Sequence, residues 1–147
     1  MTSLVTGAGG FIGSAVVRAL LARGQAVRVL LEPGVRPAAG SAQQRGAPFI
    51  DVLDGLDIDR RTGDLLDGAA LRDAMAGCDR VYHLAAIYAL WTRTPARLWR
   101  VNVDGTAAVL AEARRADAAV VHCSSIATIG AAIGAAIGSS ETPASES

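Results

Sequence analysis

The sequence has 147 residues, 51% of them apolar and 19% charged, so it is too apolar for a disordered segment and long enough to bury one core. Its 14 basic and 14 acidic residues balance to a formal charge of zero, which argues against nucleic acid as a partner. All 14 basic residues are Arg, and the chain has no Lys.

The start of the chain is typical of a strand, a glycine turn, a helix and a second strand. A short apolar run over residues 3–6 is followed directly by glycines, and apolar residues then recur at helical spacing over 11–21. Arg23 and Gly24 are residue types that commonly end a helix, and residues 25–31 predict the second strand.

The middle of the chain leaves the third strand open between two segments. Residues 49–53 have the better strand composition, whereas residues 57–62 lie closer to the element that follows. Asp67 is a typical N-cap for a short helix, and residues 80–84 predict the fourth strand.

The last predicted elements are a long helix and a fifth strand. Thr94 followed by Pro95 indicates a helix start, this helix should reach about Arg115, and residues 119–123 predict the strand. Strands that alternate with helices at this spacing indicate a parallel sheet covered on both faces. Because crossovers are right-handed, the expected fold is α/β with a doubly wound parallel sheet.

The tail of the sequence is low in complexity. The tetrapeptide Ile-Gly-Ala-Ala occurs twice over 129–136 and begins again at residue 137. Such small side chains have little to pack, so we expect a folded domain over 1–130 and a flexible tail over 131–147. Glycines spaced by four also match the small-residue pattern of helix dimers, which is the alternative interpretation.

Composition also bears on location and on metals. Residues 118–140 carry no formal charge, but polar side chains and glycines interrupt them, so we expect no membrane span. Cys78 and Cys123 lie far apart and outside any C-x-x-C pattern, which predicts reduced thiols and no metal site. The amino terminus lacks the features of a signal peptide, and together these observations predict a cytoplasmic protein.

The glycine turn after the first strand has the pattern G-x-x-G-x-x-G. Gly7 permits a tight turn, Gly10 lets a pyrophosphate approach the backbone, and Gly13 lets helix and strand pack closely. The free N–H groups at the helix start, around Phe11 and Ile12, would hold the negative charge. Because a predicted strand precedes the pattern and a predicted helix follows it, the pattern predicts a site for an adenine dinucleotide.

An acidic residue follows the second strand at the position where the ribose of a dinucleotide lies. Glu32 is 19 positions after Gly13, and its carboxylate can accept from both ribose hydroxyls of NAD and would repel a 2′-phosphate. Arg36 lies close by and could serve a phosphate instead. The cofactor is therefore NAD or NADP, with NAD favoured.

Five short motifs then occur in an order that resembles the extended short-chain dehydrogenase/reductases, the NAD-dependent epimerase/dehydratase family. They are T-G-x-x-G-x-x-G at the start, Gly63-Asp64-Leu65, His83-Leu84-Ala85-Ala86, Asn102-Val103-Asp104-Gly105-Thr106 and Ser124-Ser125. The stretch over 82–106 is most similar to the dihydroflavonol-reductase-like and hopanoid-associated sugar epimerase branch. That branch often has Arg where this chain has Glu32. The resemblance covers residues 1 to about 130 and implies a Rossmann fold.

The resemblance implies roles for residues along the cofactor. Asp64 and Leu65 would contact the adenine. From the residues alone, Asp64 can equally be interpreted as a turn or cap residue. Leu84, Ala85 and Ala86 would pass beneath the cofactor ribose, where small side chains allow close approach.

The resemblance also implies the residues near the reacting groups. Asn102 would steady the active-site end of the sheet by hydrogen bonding, and Ser125 matches the active-site serine that donates to the substrate oxygen, with Ser124 as the fallback. His83 has no carboxylate partner placed by the sequence, so we interpret it as structural.

The base of the family is missing from these 147 residues. It is a Tyr in Y-x-x-x-K, but the only tyrosines are Tyr82 and Tyr88, neither has a basic residue four positions later, and the sequence ends 22 residues after Ser125. We therefore expect the N-terminal, dinucleotide-binding portion of a protein that transfers hydride at a carbinol or keto carbon of a small-molecule substrate. Alone it should be inactive, and a homodimer is expected only in the complete protein. The alternatives are a non-catalytic, redox-sensing regulatory module and a chain too incomplete to fold stably.

Overall fold

A computed structural model describes residues 1–34, 51–89 and 91–125. Arg36, the first two residues of the 49–53 segment and the predicted tail with its boundary at residue 130 lie outside the described residues. Among the described residues, no helix has both the length and the apolar character needed to cross a membrane. Cys78 is buried, Cys123 is exposed, and both are free thiols. The cytoplasmic location that the sequence predicts stays a prediction.

The described residues form one parallel sheet of five strands in the order β3-β2-β1-β4-β5. Its strands are β1 (Thr2–Thr6), β2 (Ala26–Leu31), β3 (Asp59–Thr62), β4 (Arg80–His83) and β5 (Ala119–His122). The predicted parallel sheet is confirmed.

The third strand is the more polar of its two candidates. β3 has the sequence Asp-Arg-Arg-Thr and lies at an edge of the sheet, where its side chains are exposed or half-buried. Val52 and Leu53, from the alternative segment over 49–53, lie in a turn instead. An edge strand does not need apolar residues on both faces, because one flank and much of each face meet solvent. In register with β2, Asp59 receives a 2.7 Å contact from Arg28.

Helices cover both faces of the sheet, as the doubly wound prediction requires. α1 (Phe11–Ala22) packs on one face, where Val17 and Leu20 join Val5 and Val29 in a buried cluster. α2 (Gly68–Met75) begins after Asp67, whose side chain accepts from the Ala69 and Ala70 N–H groups, so the predicted N-cap is confirmed. α2 packs on the opposite face.

The long helix predicted from Pro95 is divided into three segments. They are α3 (Pro95–Trp99), a π-helical segment (Arg100–Gly105) and α4 (Thr106–Arg115), which packs beside α2. Gly105 is buried against Leu65, and a Cβ there would lie 3.3 Å from the Leu65 Cβ. The predicted helix from Pro95 to about Arg115 is therefore confirmed in its extent, and its middle is a π-helical segment that the sequence did not indicate. π segments of one turn often occur at functional sites.

The direction of winding reverses between β1 and β4. From β1 the chain adds β2 and β3 on one side, and β4 and β5 extend the sheet on the other. In such sheets, ligands bind in the crevice beyond the carboxyl ends of the strands at this reversal. The residues that follow β1, β2, β3, β4 and β5 therefore lie at the edge where a ligand would bind.

Candidate functional site

The turn after β1 requires glycine at two positions for reasons of packing. Gly7 has φ +70°, and a Cβ there would lie 2.6 Å from the Ala85 N atom in the segment after β4. A Cβ on Gly13 would lie 2.0 Å from the Gly7 carbonyl oxygen. The turn therefore lies directly against both α1 and the segment that follows β4.

The middle glycine of the motif has a different environment. Gly10 has φ −80° and ψ 171°, which other residues can adopt, and its Cβ would approach only the Gly7 carbonyl oxygen, at 3.2 Å. No side chain caps α1, and its first turn contains no acidic residue. The first N–H groups of a helix have no partner within it, so this end of α1 can accept an anion. The exposed side chains of Phe11 and Ile12 leave it open to solvent.

Glu32 follows β2 at the same edge of the sheet and is engaged by a residue that the sequence did not suggest. Its Oε1 atom accepts from the Nη2 atom of Arg97 in α3 at 2.7 Å. The two residues are 65 positions apart, and no spacing rule could have paired them. Both side chains are exposed, Glu32 by 46% and Arg97 by 63%.

The residues after β3 are divided between the surface and the core. Asp64 is exposed, and its Oδ1 atom accepts from the Leu66 N–H at 2.9 Å, so it shapes a turn. The side chain of Leu65 is buried against Gly105 and the core residues around Leu4. At this position only the main chain of Leu65 can meet a ligand.

The segment after β4 contacts the glycine turn directly. Leu84 and Ala85 are half-buried, Ala86 is exposed, and the Leu84 and Ala85 N–H groups donate to the Thr6 hydroxyl at 3.3 and 3.4 Å. Thr6 immediately precedes Gly7, so these bonds tie the segment to the turn.

A buried chain of hydrogen bonds continues from Thr6 through His83 to Thr106. The Thr106 hydroxyl donates to the Asn102 carbonyl at 2.7 Å, so it accepts from His83 Nε2–H at 3.0 Å. The Nδ1 atom of His83 is then an acceptor, and the Thr6 hydroxyl donates to it at 2.7 Å. Every donor in the chain points the same way, which fixes the tautomer of the imidazole.

His83 is held neutral in this position. Its side chain is 1% exposed, and burial together with the adjacent His122 lowers its pKa to about 4. The His122 ring stacks on it with 5.2 Å between centroids. These contacts fit the structural interpretation of His83. The sequence had indicated neither threonine as its partner.

Asn102 steadies the segment after β4 by two bonds to one residue. Its Oδ1 atom accepts from the Ile87 N–H at 2.8 Å, and its Nδ2 atom donates to the Ile87 carbonyl at 2.9 Å. The side chain amide thus faces the protein main chain, which is the contact that a steadying role needs.

Ser124 and Ser125 lie beyond the carboxyl end of β5 and are exposed. Because His83 and His122 are in register, both serines follow the sheet at the same edge as residues 84–86. Tyr82 lies within β4 and Tyr88 is 85% exposed.

One surface depression lies apart from this edge of the sheet, and the described residues contain no metal-binding cluster. A surface depression of about 670 Å³ lies between the amino ends of β2 and β3, where Gln25, Arg28 and Asp59 line it. No group of three or more His, Cys, Asp or Glu residues in 1–34, 51–89 and 91–125 could hold a metal ion.

Comparison with known proteins gives a family and several relatives. The family model described as "NAD dependent epimerase/dehydratase family" matches residues 3–146. Sterol demethylase protein B of Methylococcus capsulatus is 42% identical over 131 residues, which are 88% of this chain and 36% of that protein. A dihydroflavonol 4-reductase-like protein of Synechocystis sp. is 41% identical over 127 residues, which are 86% of this chain and 33% of that protein.

Solved structures show the same architecture. A short-chain dehydrogenase/reductase superfamily protein from Agrobacterium tumefaciens, with bound NAD, is 32% identical and superposes with a TM-score of 0.67. The match covers 88% of this chain and 34% of that one. This chain thus spans about a third of the length of these relatives.

Proposed function

This chain belongs to the NAD dependent epimerase/dehydratase family, and from that premise we propose that it binds the adenine dinucleotide cofactor of an oxidoreductase. The observation that carries the proposal is the uncapped start of α1 behind Gly10, in a turn whose other glycines are fixed by packing. The fold and the bound NAD of a 32% identical relative support it.

The pyrophosphate would lie against the N–H groups of Phe11 and Ile12. These donors have no intrahelical partner, and the helix dipole favours negative charge there by roughly 0.3–1 kcal/mol. The absence of a Cβ at Gly10 leaves room for the phosphate oxygens to reach them.

The adenosine half would extend toward β2 and β3. Glu32 retains a second carboxylate oxygen beside the one that Arg97 contacts, and this oxygen can accept from the ribose hydroxyls. Asp64 and the main chain of Leu65 lie beyond β3, where adenine would meet them, with the Asp64 carboxylate accepting from the exocyclic amine.

The nicotinamide half would pass over Leu84, Ala85 and Ala86 toward Ser125. The bound nicotinamide supplies the hydride acceptor or donor. Ser125 would donate a hydrogen bond to the substrate oxygen whose carbon gains or loses hydride, and so stabilise its developing charge. For the complete protein we propose a sugar-like or flavonoid-like substrate with a carbinol or keto carbon, and the flavonoid class is in keeping with the name of the Synechocystis relative.

A proton must also move in this reaction, and the Y-x-x-x-K pair that would move it is not in this sequence. The sequence has no Lys, and Tyr82 and Tyr88 precede rather than follow Ser125. We therefore propose that residues 1–147 bind cofactor without steady turnover, and that a base elsewhere in the complete protein supplies the ~10²–10⁴-fold effect of proton transfer.

The outer face of the α3–α4 region supports a subunit contact in the complete protein. Trp99, Val103 and Leu110 are 63%, 43% and 46% exposed, and their spacing of four and seven positions is that of one helix face. Apolar side chains gathered on one surface often mark an interface, and we propose that a second copy of the protein covers them.

Calorimetric titration of the purified chain with NADH tests the cofactor proposal. Gly10→Val should abolish binding, because its side chain would occupy the place of the pyrophosphate. Ala19→Val is the matched control, since it adds a larger side chain on an exposed position of the same helix, two turns away. If Gly10→Val binds NADH as well as the unmodified chain, the proposed site is wrong.

A further inference from the structure

The ion pair between Glu32 and Arg97 crosses the mouth of the crevice. Glu32 follows β2, whereas Arg97 belongs to α3, which the chain reaches from β4. β1 lies between β2 and β4, and the glycine turn that follows it ends at the same edge. The Arg97 guanidinium thus lies 2.7 Å from the carboxylate that should receive the cofactor ribose.

We propose that Arg97 is a binding residue for the 2′-phosphate of NADP(H), so that the site accepts both NAD(H) and NADP(H) despite Glu32. This inference rests on the proposed cofactor site and adds to it a specificity determinant supplied by α3. The expectation drawn from Glu32 alone was a preference for NAD.

The ion pair between Glu32 and Arg97 reduces the repulsion that a 2′-phosphate would meet at Glu32. An isolated carboxylate at the end of β2 repels a 2′-phosphate. A carboxylate in contact with a guanidinium forms an ion pair whose net charge is close to zero, so the repulsion is smaller. Arg97 is the cation in contact with Glu32 within the part of the chain that the structure describes. The exclusion of NADP(H) by Glu32 is therefore weakened.

The reach of the guanidinium is the second argument. A ribose oxygen bonded to Glu32 would lie about 3 Å from that carboxylate. Arg97 already contacts the same carboxylate, so a phosphate on the 2′-oxygen comes within a side-chain rotation of its N–H groups. Arg97 is 63% exposed, which leaves it room to turn.

The strength of the competing contacts decides which partner Arg97 prefers. An exposed ion pair such as Glu32–Arg97 changes an equilibrium constant by about fivefold at most. A guanidinium and a phosphate form charge-assisted, often bidentate hydrogen bonds, which change it by about tenfold or more. Arg97 should therefore form its stronger contact with a 2′-phosphate when one is present, while it stays beside Glu32 and offsets the carboxylate charge, and it should pair with Glu32 alone when NAD(H) is bound.

The experiment measures dissociation constants of NADH and NADPH for the full 147-residue chain and its variants. Arg97→Ala should weaken NADPH by about tenfold or more and NADH by less than about threefold. Glu32→Gln should move the ratio the other way, by weakening NADH and tightening NADPH. Arg93→Ala removes a neighbouring exposed cation that contacts Trp91 and should leave both constants unchanged.

The possible outcomes separate this inference from the proposal beneath it. Equal losses for NADH and NADPH in Arg97→Ala would show that Arg97 only orients Glu32, and would overturn the inference alone. Unchanged NADPH binding in that variant would overturn it too and assign the phosphate to another cation such as Arg36. A wild-type chain that binds neither dinucleotide would overturn both the cofactor site and the inference.

Discussion

The glycine turn offers a pair of substitutions that separate folding from cofactor binding. In Gly13→Ala the new Cβ would lie 2.0 Å from the Gly7 carbonyl oxygen. Because unstrained contacts lie near 3.5 Å, main chain must move by about 1 Å or more. Overpacking costs about 1–3 kcal/mol, and the clash of main chain with a new side chain places this case near the upper end.

Gly10→Ala should behave in the opposite way. Its Cβ would lie 3.2 Å from the Gly7 oxygen, and its backbone angles suit any residue. A small loss at the helix N-cap and a small gain from the stiffer unfolded chain offset each other, so the free energy of unfolding should change by less than about 0.5 kcal/mol. NADH binding should nevertheless weaken by about tenfold or more, since the methyl group lies where the pyrophosphate must approach.

Urea unfolding followed by circular dichroism gives the stability of each variant, and calorimetry gives NADH affinity. We expect Gly13→Ala to lose about 3 kcal/mol of stability, whereas Gly10→Ala should lose affinity alone. A stable Gly13→Ala variant would show that the turn tolerates a side chain at this position. A Gly10→Ala variant with normal affinity would refute the role of Gly10.

Other predictions follow from single features. Burial lowers the pKa of His83 to about 4 in the folded chain, against 6.5 in the unfolded chain. Between these values the unfolded chain binds more protons than the folded one. The free energy of unfolding should therefore fall by about 3 kcal/mol from pH 7 to pH 4. Urea titrations across this range would disprove it by giving a constant value. Asp67→Ala removes the cap of α2 and should cost about 1 kcal/mol in the same assay, with an unchanged midpoint as the contrary result. Ser125→Ala in the complete protein should slow turnover by roughly 10²–10³-fold, and an unchanged rate would move the role to Ser124 or cancel it. The 147-residue chain should show no steady NADH oxidation, and turnover that Ser125→Ala abolishes would mean that the base comes from these residues after all.

The sheet and its winding could be predicted because each depends on local patterns. Short apolar runs marked β1, β2, β4 and β5, and Asp67 marked the start of α2. The sequence could not decide which of two segments forms β3, because the pairing with β2 determines the strand and its own composition is polar. Gly105 in the π-helical segment approaches Leu65, 40 positions earlier in the sequence, and no local pattern indicated this contact.

The candidate site was predicted in part for the same reason. The glycine turn is a local motif, and both the tight turn at Gly7 and the close packing at Gly13 were predicted from it. The ion pair of Glu32 with Arg97 and the bonds of His83 with its threonines join residues far apart in sequence. Such contacts arise from the fold and leave no local signal.

A crystal structure of this chain with NADH would show whether the start of α1 binds the pyrophosphate of the dinucleotide. We expect a pyrophosphate oxygen within about 3 Å of the Phe11 and Ile12 N atoms, and the adenine ribose against Glu32. A dinucleotide bound at another surface, such as the depression between the amino ends of β2 and β3, with the start of α1 free of phosphate, would contradict it.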